Sequence, residues 1–158
     1  MKFLPADDGY RGSVFPASRT AEIYVSDLYS DADLRHTLAH EAGHTLDVDL
    51  LDDDTRAGWI AQRGLNASWW AEGTVHDYAS GSGDFAESVA WVFAGRTEWN
   101  GMLAGPPSEA DVATLLALIC RGGSPGALCP VSDAGTEPVD ANGGQGTGRP
   151  VGLERSED

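Results

Sequence analysis

A spacing of four dominates the middle of the chain. Leu34, Leu38, Ala42 and Leu46 recur at that interval and predict an amphipathic helix with one apolar stripe. Ser30, with Asp33 three residues on, gives it a capping-box-like start, and the pattern carries it to about Asp47. Just upstream, Ala21-Glu22-Ile23-Tyr24-Val25 is rich in strand formers and partly alternating, which predicts a short strand. Asp52-Asp53-Asp54-Thr55 offers a second cap, for a short helix from Arg56 to Arg63 stopped by Gly64. Leu65 to Gly83 reads as a loop containing Trp69, Trp70 and Tyr78. Phe85, Val89, Val92 and Phe93, widened by Ala86 and Ala90, predict a third helix from Asp84 to about Phe93. Pro106-Pro107-Ser108, with Asp111 three past the cap, opens a fourth, whose apolar face is Val112, Leu115, Leu116 and Ile119.

The flanks lack such rhythm. Pro5, Gly9, Gly12 and Pro16 make residues 1–20 an irregular lead-in. Residues 131–158 hold six glycines, two prolines, no aromatic residue and a net charge of −4. So little apolar surface does not offset the entropy of ordering, and the segment reads as a disordered acidic tail. What remains, residues 21–130, is one domain of a 158-residue chain. Its pattern is α+β and mostly helical, with a short strand or small sheet before the first helix.

Charge narrows the partners. With 25 acids against 10 bases the chain carries −15, which repels phosphate and argues against nucleic acid. No apolar run approaches the roughly 18 residues of a membrane span. The start, Met1 to Asp8, has no sustained apolar stretch, so no secretory leader is read there. Cys120 and Cys129 frame a segment rich in glycine, short enough to fold back on itself. A disulfide between them is plausible, against two unlinked thiols. The bridge favours an extracellular or cell-envelope setting, whereas the missing leader does not.

The chemistry is concentrated in His40-Glu41-Ala42-Gly43-His44, an H-E-x-x-H motif inside the first predicted helix. Residues four apart stand one above the other on a helix face, so two imidazoles there can bind one zinc ion. Glu41, beside the first ligand, can act as general base toward the water that zinc activates. Gly43 leaves room for another backbone to approach. A catalytic zinc needs a third protein ligand. Asp84 and Glu87, a turn apart at the start of the third helix, are the candidates. One would bind zinc and the other hydrogen-bond a ligand histidine, and the longer arm favours Glu87 as the ligand. Tyr78 can donate its hydroxyl to a developing oxyanion. His76 is a weaker competing ligand. His36, a turn before His40, reads as solvated or as a support for the site, and Asp47 as either orienting a histidine or solvated. The acidic run Asp47 to Asp54 lacks the order of a calcium loop. Trp69 and Trp70 fit either core or a cleft wall, and the strand at 21–25, if an edge, could take an added peptide strand.

These residues resemble a zincin metallopeptidase. His40-Glu41-Ala42-Gly43-His44-Thr45-Leu46-Asp47, then Asp77-Tyr78-Ala79, then Asp84-Phe85-Ala86-Glu87, are similar to the compact gluzincins, among them lethal-factor-like and Pro-Pro endopeptidase-like domains. The resemblance covers roughly residues 21–95. It implies a zincin-like fold, a catalytic role for Tyr78 and a supporting role for Glu87. The family's third ligand falls on Gly83, which has no side chain, and the segment between Tyr78 and Phe85 is about two residues short. Either Asp84 or Glu87 takes over, or the site is weakened. The expectation is a zinc-dependent metallopeptidase acting on peptide or protein substrates. The alternative is a zincin-fold binding module that holds metal without hydrolysis, and a third, weaker reading is a metal-free helical interaction domain.

Overall fold

A computed structural model describes residues 1–6, 11–73 and 75–121. Three short strands precede four helices: β1 (Lys2–Pro5), β2 (Gly12–Phe15), β3 (Thr20–Val25), α1 (Asp31–Leu50), α2 (Asp53–Arg63), α3 (Gly81–Phe93) and α4 (Glu109–Arg121). Single turns of 3-10 helix lie at Pro16–Ser18 and Asp77–Ala79. The architecture is α+β and mostly helical, as the pattern predicted. The tail read at 131–158 and the segment carrying Cys129 lie outside the described residues. Cys120 is disulfide-bonded. Among the described residues no helix is long and apolar enough to cross a membrane.

The lead-in is more ordered than its glycines and prolines suggest. β3 is the centre of a three-stranded sheet, with β1 parallel on one side and β2 antiparallel on the other. Ala21 and Ile23 of β3 point inward and are buried, while β1 is largely exposed. β1 and β2 are four residues each and are held by ladder hydrogen bonds to β3 rather than by side-chain burial, so no apolar period announces them.

The helix starts follow their caps. The backbone of Asp33 donates to Ser30 Oγ at 3.2 Å, and the backbone of Ser30 donates to the Asp33 carboxylate at 3.0 Å, closing the capping box of α1. Asp52 caps α2 through the Thr55 backbone at 2.9 Å. α3 begins earlier than its apolar pattern predicts, because Ser80 accepts from the Gly83 backbone at 3.0 Å and turns Gly81–Gly83 into its first turn.

α1 and α3 pack against one another at the centre of the molecule. At Gly43 they approach so closely that an added Cβ would come within 2.6 Å of the Ala86 Cα. The room expected at Gly43 is therefore used by α3. On the other side of α3, Phe85 and Val89 join Leu51, Trp59, Leu65, Trp69, Leu115 and Leu118 in one apolar cluster. Burying each such large side chain contributes roughly 1.5–3 kcal/mol. The apolar faces read from sequence need two corrections. Leu38 and Phe93 are exposed, and α1 instead buries His36, Thr37, His40, Glu41, Gly43 and Asp47. Only Leu46 and Leu50 of α1 reach the core cluster, at its edge. α1 therefore faces the protein with its chemically reactive side, a face that costs free energy unless every polar group finds a partner.

Candidate metal centre

The histidines of α1 meet the 3-10 turn that precedes α3. His40 Nε2 lies 3.0 Å from Asp77 Oδ2, His44 Nε2 lies 3.1 Å from the same oxygen, and the two nitrogens are 3.2 Å apart. Asp77 thus completes the triangle that sequence reading assigned to Asp84 or Glu87. Tetrahedral ligation with bonds of about 2.0–2.1 Å separates ligand atoms by roughly 3.3 Å, close to this spacing.

The far side of each ring fixes which nitrogen faces the triangle. Ser82 Oγ donates its one hydrogen to Asp47 Oδ2 at 3.2 Å, so His44 Nδ1, 3.0 Å from the same hydroxyl, donates to it. That leaves a lone pair on His44 Nε2. His40 Nδ1 lies 3.0 Å from Glu87 Oε2 and donates to that carboxylate, leaving a lone pair on His40 Nε2 as well. Two lone pairs and a carboxylate oxygen then converge within hydrogen-bond distance of one another. Acceptors so arranged repel unless a cation, a proton or a metal ion, lies among them. This donor set of two imidazoles and a carboxylate fits a zinc ion.

The supports are themselves anchored. Asp47 is fully buried, and its carboxylate takes Arg56 Nε at 2.9 Å and Trp69 Nε1 at 3.0 Å besides Ser82. Of the two readings left open for Asp47, the structure selects orientation of a histidine, through Ser82. Glu87 accepts from His40, from the Asn100 backbone at 2.6 Å, and from His36 Nε2 at 3.0 Å. His36 is buried, so its supporting role holds and the solvated one does not. Glu87 thus faces the ring nitrogen of His40 that points away from the triangle. The longer arm favours Glu87 as a ligand and the resemblance implies a support; its carboxylate meets His36 and His40, not His44 and Asp77. His36, His40 and Glu87 form a second compact group of ligand-type atoms, all of them buried.

Asp84 does not join the centre. It is fully buried and accepts from Arg63 Nε and Nη2, both at 3.0 Å, and from Trp59 Nε1 at 3.0 Å. It is a structural partner of a buried guanidinium. Gly83, where the resemblance expects a ligand, lies against the Asp77 backbone, and a Cβ there would collide with the Asp77 carbonyl. His76 stays outside the triangle, its Nδ1 accepting from the Tyr78 backbone at 3.3 Å. No periodic pattern in the sequence singles out Asp77, which lies in a single turn of 3-10 helix outside the long helices.

With no metal ion among these groups, a proton on His40 supplies the cation. Burial alone would lower the His40 imidazolium, but the carboxylates of Asp77 and Glu87 outweigh it and raise it to about 9. Burial raises the Asp77 carboxyl less than His40 and His44 lower it, so it stays well below the usual range. Glu87, against the same opposition from burial, is held down to about 2 by His36, His40 and the Asn100 backbone. Glu41 is buried and goes the other way: desolvation raises its carboxyl, and His44 and His40 only partly offset this. Tyr78 lies edge-on to His40, with ring centroids 4.9 Å apart. Burial first, then Glu87, Asp77 and Glu41, raise its phenol far above the ordinary value, so it remains a neutral donor.

All of this opens onto one cleft of about 780 Å³. His40, Glu41, His44, Asp77 and Tyr78 line its floor, and β2 forms one wall. The wall is close: a Cβ on Gly12 would overlap the Glu41 carboxylate. No known protein family, no curated protein and no solved structure matches the chain.

Proposed function

We propose that this chain is a small zinc-dependent metallopeptidase, with His40, His44 and Asp77 holding the ion. The observation that carries the reading is the convergence of His40 Nε2, His44 Nε2 and Asp77 Oδ2, at 3.0–3.2 Å from one another, beside Glu41 in an open cleft. Zinc bound there supplies a Lewis acid that polarises a carbonyl and lowers the pKa of water to about 7. Glu41 takes a proton from the attacking water and returns it to the leaving amine. Its raised carboxyl makes it the stronger base for taking that proton. Tyr78, kept protonated, donates a hydrogen bond to the oxyanion that develops at the scissile carbonyl. Glu87 and Ser82 hold the two imidazoles in the tautomer that leaves Nε2 free.

Glu41→Gln tests the assignment. The variant is expected to retain zinc and to lose cleavage of a mixed peptide library by at least about a hundredfold, the usual scale for removing a general base. Undiminished cleavage by that variant contradicts the mechanism. A wild-type chain that binds zinc and cuts no peptide supports the non-hydrolytic module instead.

A further inference from the structure

The cleft changes character along its length. α1 gives its direction: Thr37 lies one turn before the histidine pair and Val48 one turn after it, and both line the cleft. Around the Thr37 end are Arg11, Tyr78, His76 and Asn100, all polar. Around the Val48 end the lining is apolar, with Val14 and Pro16 from the β2 side and Trp70 and Ala71 from the loop after α2. The charged residues that border it, Arg19 and Asp49, pair with one another at 3.5 Å.

Trp70 is the unusual member. Its neighbour Trp69 is buried in the core, but Trp70 is 46% exposed. With Val14, Pro16, Val48 and Ala71 its ring belongs to one apolar stretch of the cleft lining, and a contiguous apolar surface of this kind marks a binding site. It is also braced. The Arg56 guanidinium lies 5.1 Å from the Trp70 ring centroid and is tied at 2.9 Å to the buried Asp47 carboxylate. Asp47 in turn adjoins Val48 and, through Ser82, orients His44. The wall and the metal centre are therefore built on one anchor, and the ring is presented to the cleft in a fixed position.

We propose that the Val48 end of the cleft is a subsite for a large apolar side chain flanking the scissile bond, with Trp70 as its specificity-determining wall. The proposal rests on the metallopeptidase reading above. The occupant is aromatic or leucine-like. An acidic side chain is disfavoured, since among the described residues Arg19 is paired with Asp49 and Arg56 with Asp47 and Asp53, and the chain as a whole carries −15.

The test uses the full, zinc-loaded chain and three hydroxamates titrated by calorimetry. Acetohydroxamate carries only the metal-binding head, 3-phenylpropanohydroxamate adds an aromatic arm, and succinic monohydroxamate adds an acidic one. The aromatic arm is expected to tighten binding about ten- to a hundredfold over acetohydroxamate, as burial of such a group predicts, and the acidic arm not to tighten it. In Trp70→Ala the aromatic advantage should fall to within about threefold, and Trp70→Phe should keep most of it. Trp70 is a surface residue, so both variants are expected to fold, which circular dichroism checks. Equal affinity for the first two compounds, or an aromatic advantage that survives in Trp70→Ala, overturns the subsite while leaving the metal centre standing. Failure of acetohydroxamate itself to bind overturns the metal-centre reading and the subsite with it.

Discussion

The carbonyl of Asp77 occupies the space into which a side chain on Gly83 would project. The turn that carries Asp77 can therefore lie flat on the first turn of α3 only because residue 83 has no Cβ. The same contact sets the Asp77 turn beside α1, where its carboxylate lies 3.0 Å from His40 Nε2 and 3.1 Å from His44 Nε2.

Gly83→Ala is accordingly expected to push Asp77 away from His40 and His44. Zinc affinity should fall at least tenfold, on the scale of disturbed metal-site supports. Competition against a chromophoric chelator measures it, with circular dichroism to show that the helices persist. Unchanged affinity means that Asp77 is not held by this contact.

Ser82 links His44 to Asp47 through a single hydroxyl. Ser82→Ala removes the acceptor for His44 Nδ1–H and frees the ring to turn. The expected result is a tenfold to hundredfold loss in zinc affinity, together with about 1 kcal/mol of stability from the lost hydrogen bonds. Urea denaturation of the metal-free protein separates the two effects.

Asp84 and Asp77 are distinguished by opposite outcomes. Asp84→Asn leaves the Arg63 guanidinium, whose side chain is 5% exposed, with Asp111 at 3.3 Å as its remaining carboxylate partner. Stability should fall, by less than the roughly 3–5 kcal/mol of a buried charge left wholly unpaired. Zinc per folded chain should nevertheless be unchanged, since Asp84 accepts from Arg63 and Trp59 rather than facing the triangle. Loss of zinc from folded Asp84→Asn restores Asp84 as a ligand.

The metal-free chain should also show the His40–Glu87 contact in its pH dependence. Glu87 is depressed from an ordinary 4.5 to about 2, so its contribution is complete above pH 4.5 and fades as pH falls toward 2. His40 is raised from 6.5 to about 9, so its contribution is complete below pH 6.5 and fades as pH rises through 9. Together they place the maximum for these two groups, with Asp77 the larger partner of His40 and His36 of Glu87, between about pH 4.5 and 6.5. Glu87→Gln should lower the urea midpoint at pH 6, and the gap to wild type should narrow at pH 3. A gap of equal size at both values contradicts the depressed carboxyl.

Features with a local cause were legible in the sequence. Ser30 with Asp33, and Asp52 with Thr55, marked helix starts because capping is settled within one turn. The i, i+4 histidines were legible for the same reason. The orientation of α1 was not. Its leucine stripe suggested an inward face, yet Leu38 is exposed, because the side that packs on α3 must carry His40 and His44. β1 and β2 were hidden by Pro5, Gly12 and Pro16, since their pairing depends on β3 and not on their own composition. Asp77 was hidden by lying on a loop.

The central claim is that His40, His44 and Asp77 form one zinc site. Elemental analysis of the purified, dialysed protein tests it directly, on wild type, Asp77→Ala and Glu87→Gln prepared alike. The account predicts near one zinc per wild-type chain, little in Asp77→Ala, and a weakened but measurable content in Glu87→Gln. A zinc-free wild type, or Asp77→Ala that keeps its full zinc, contradicts it.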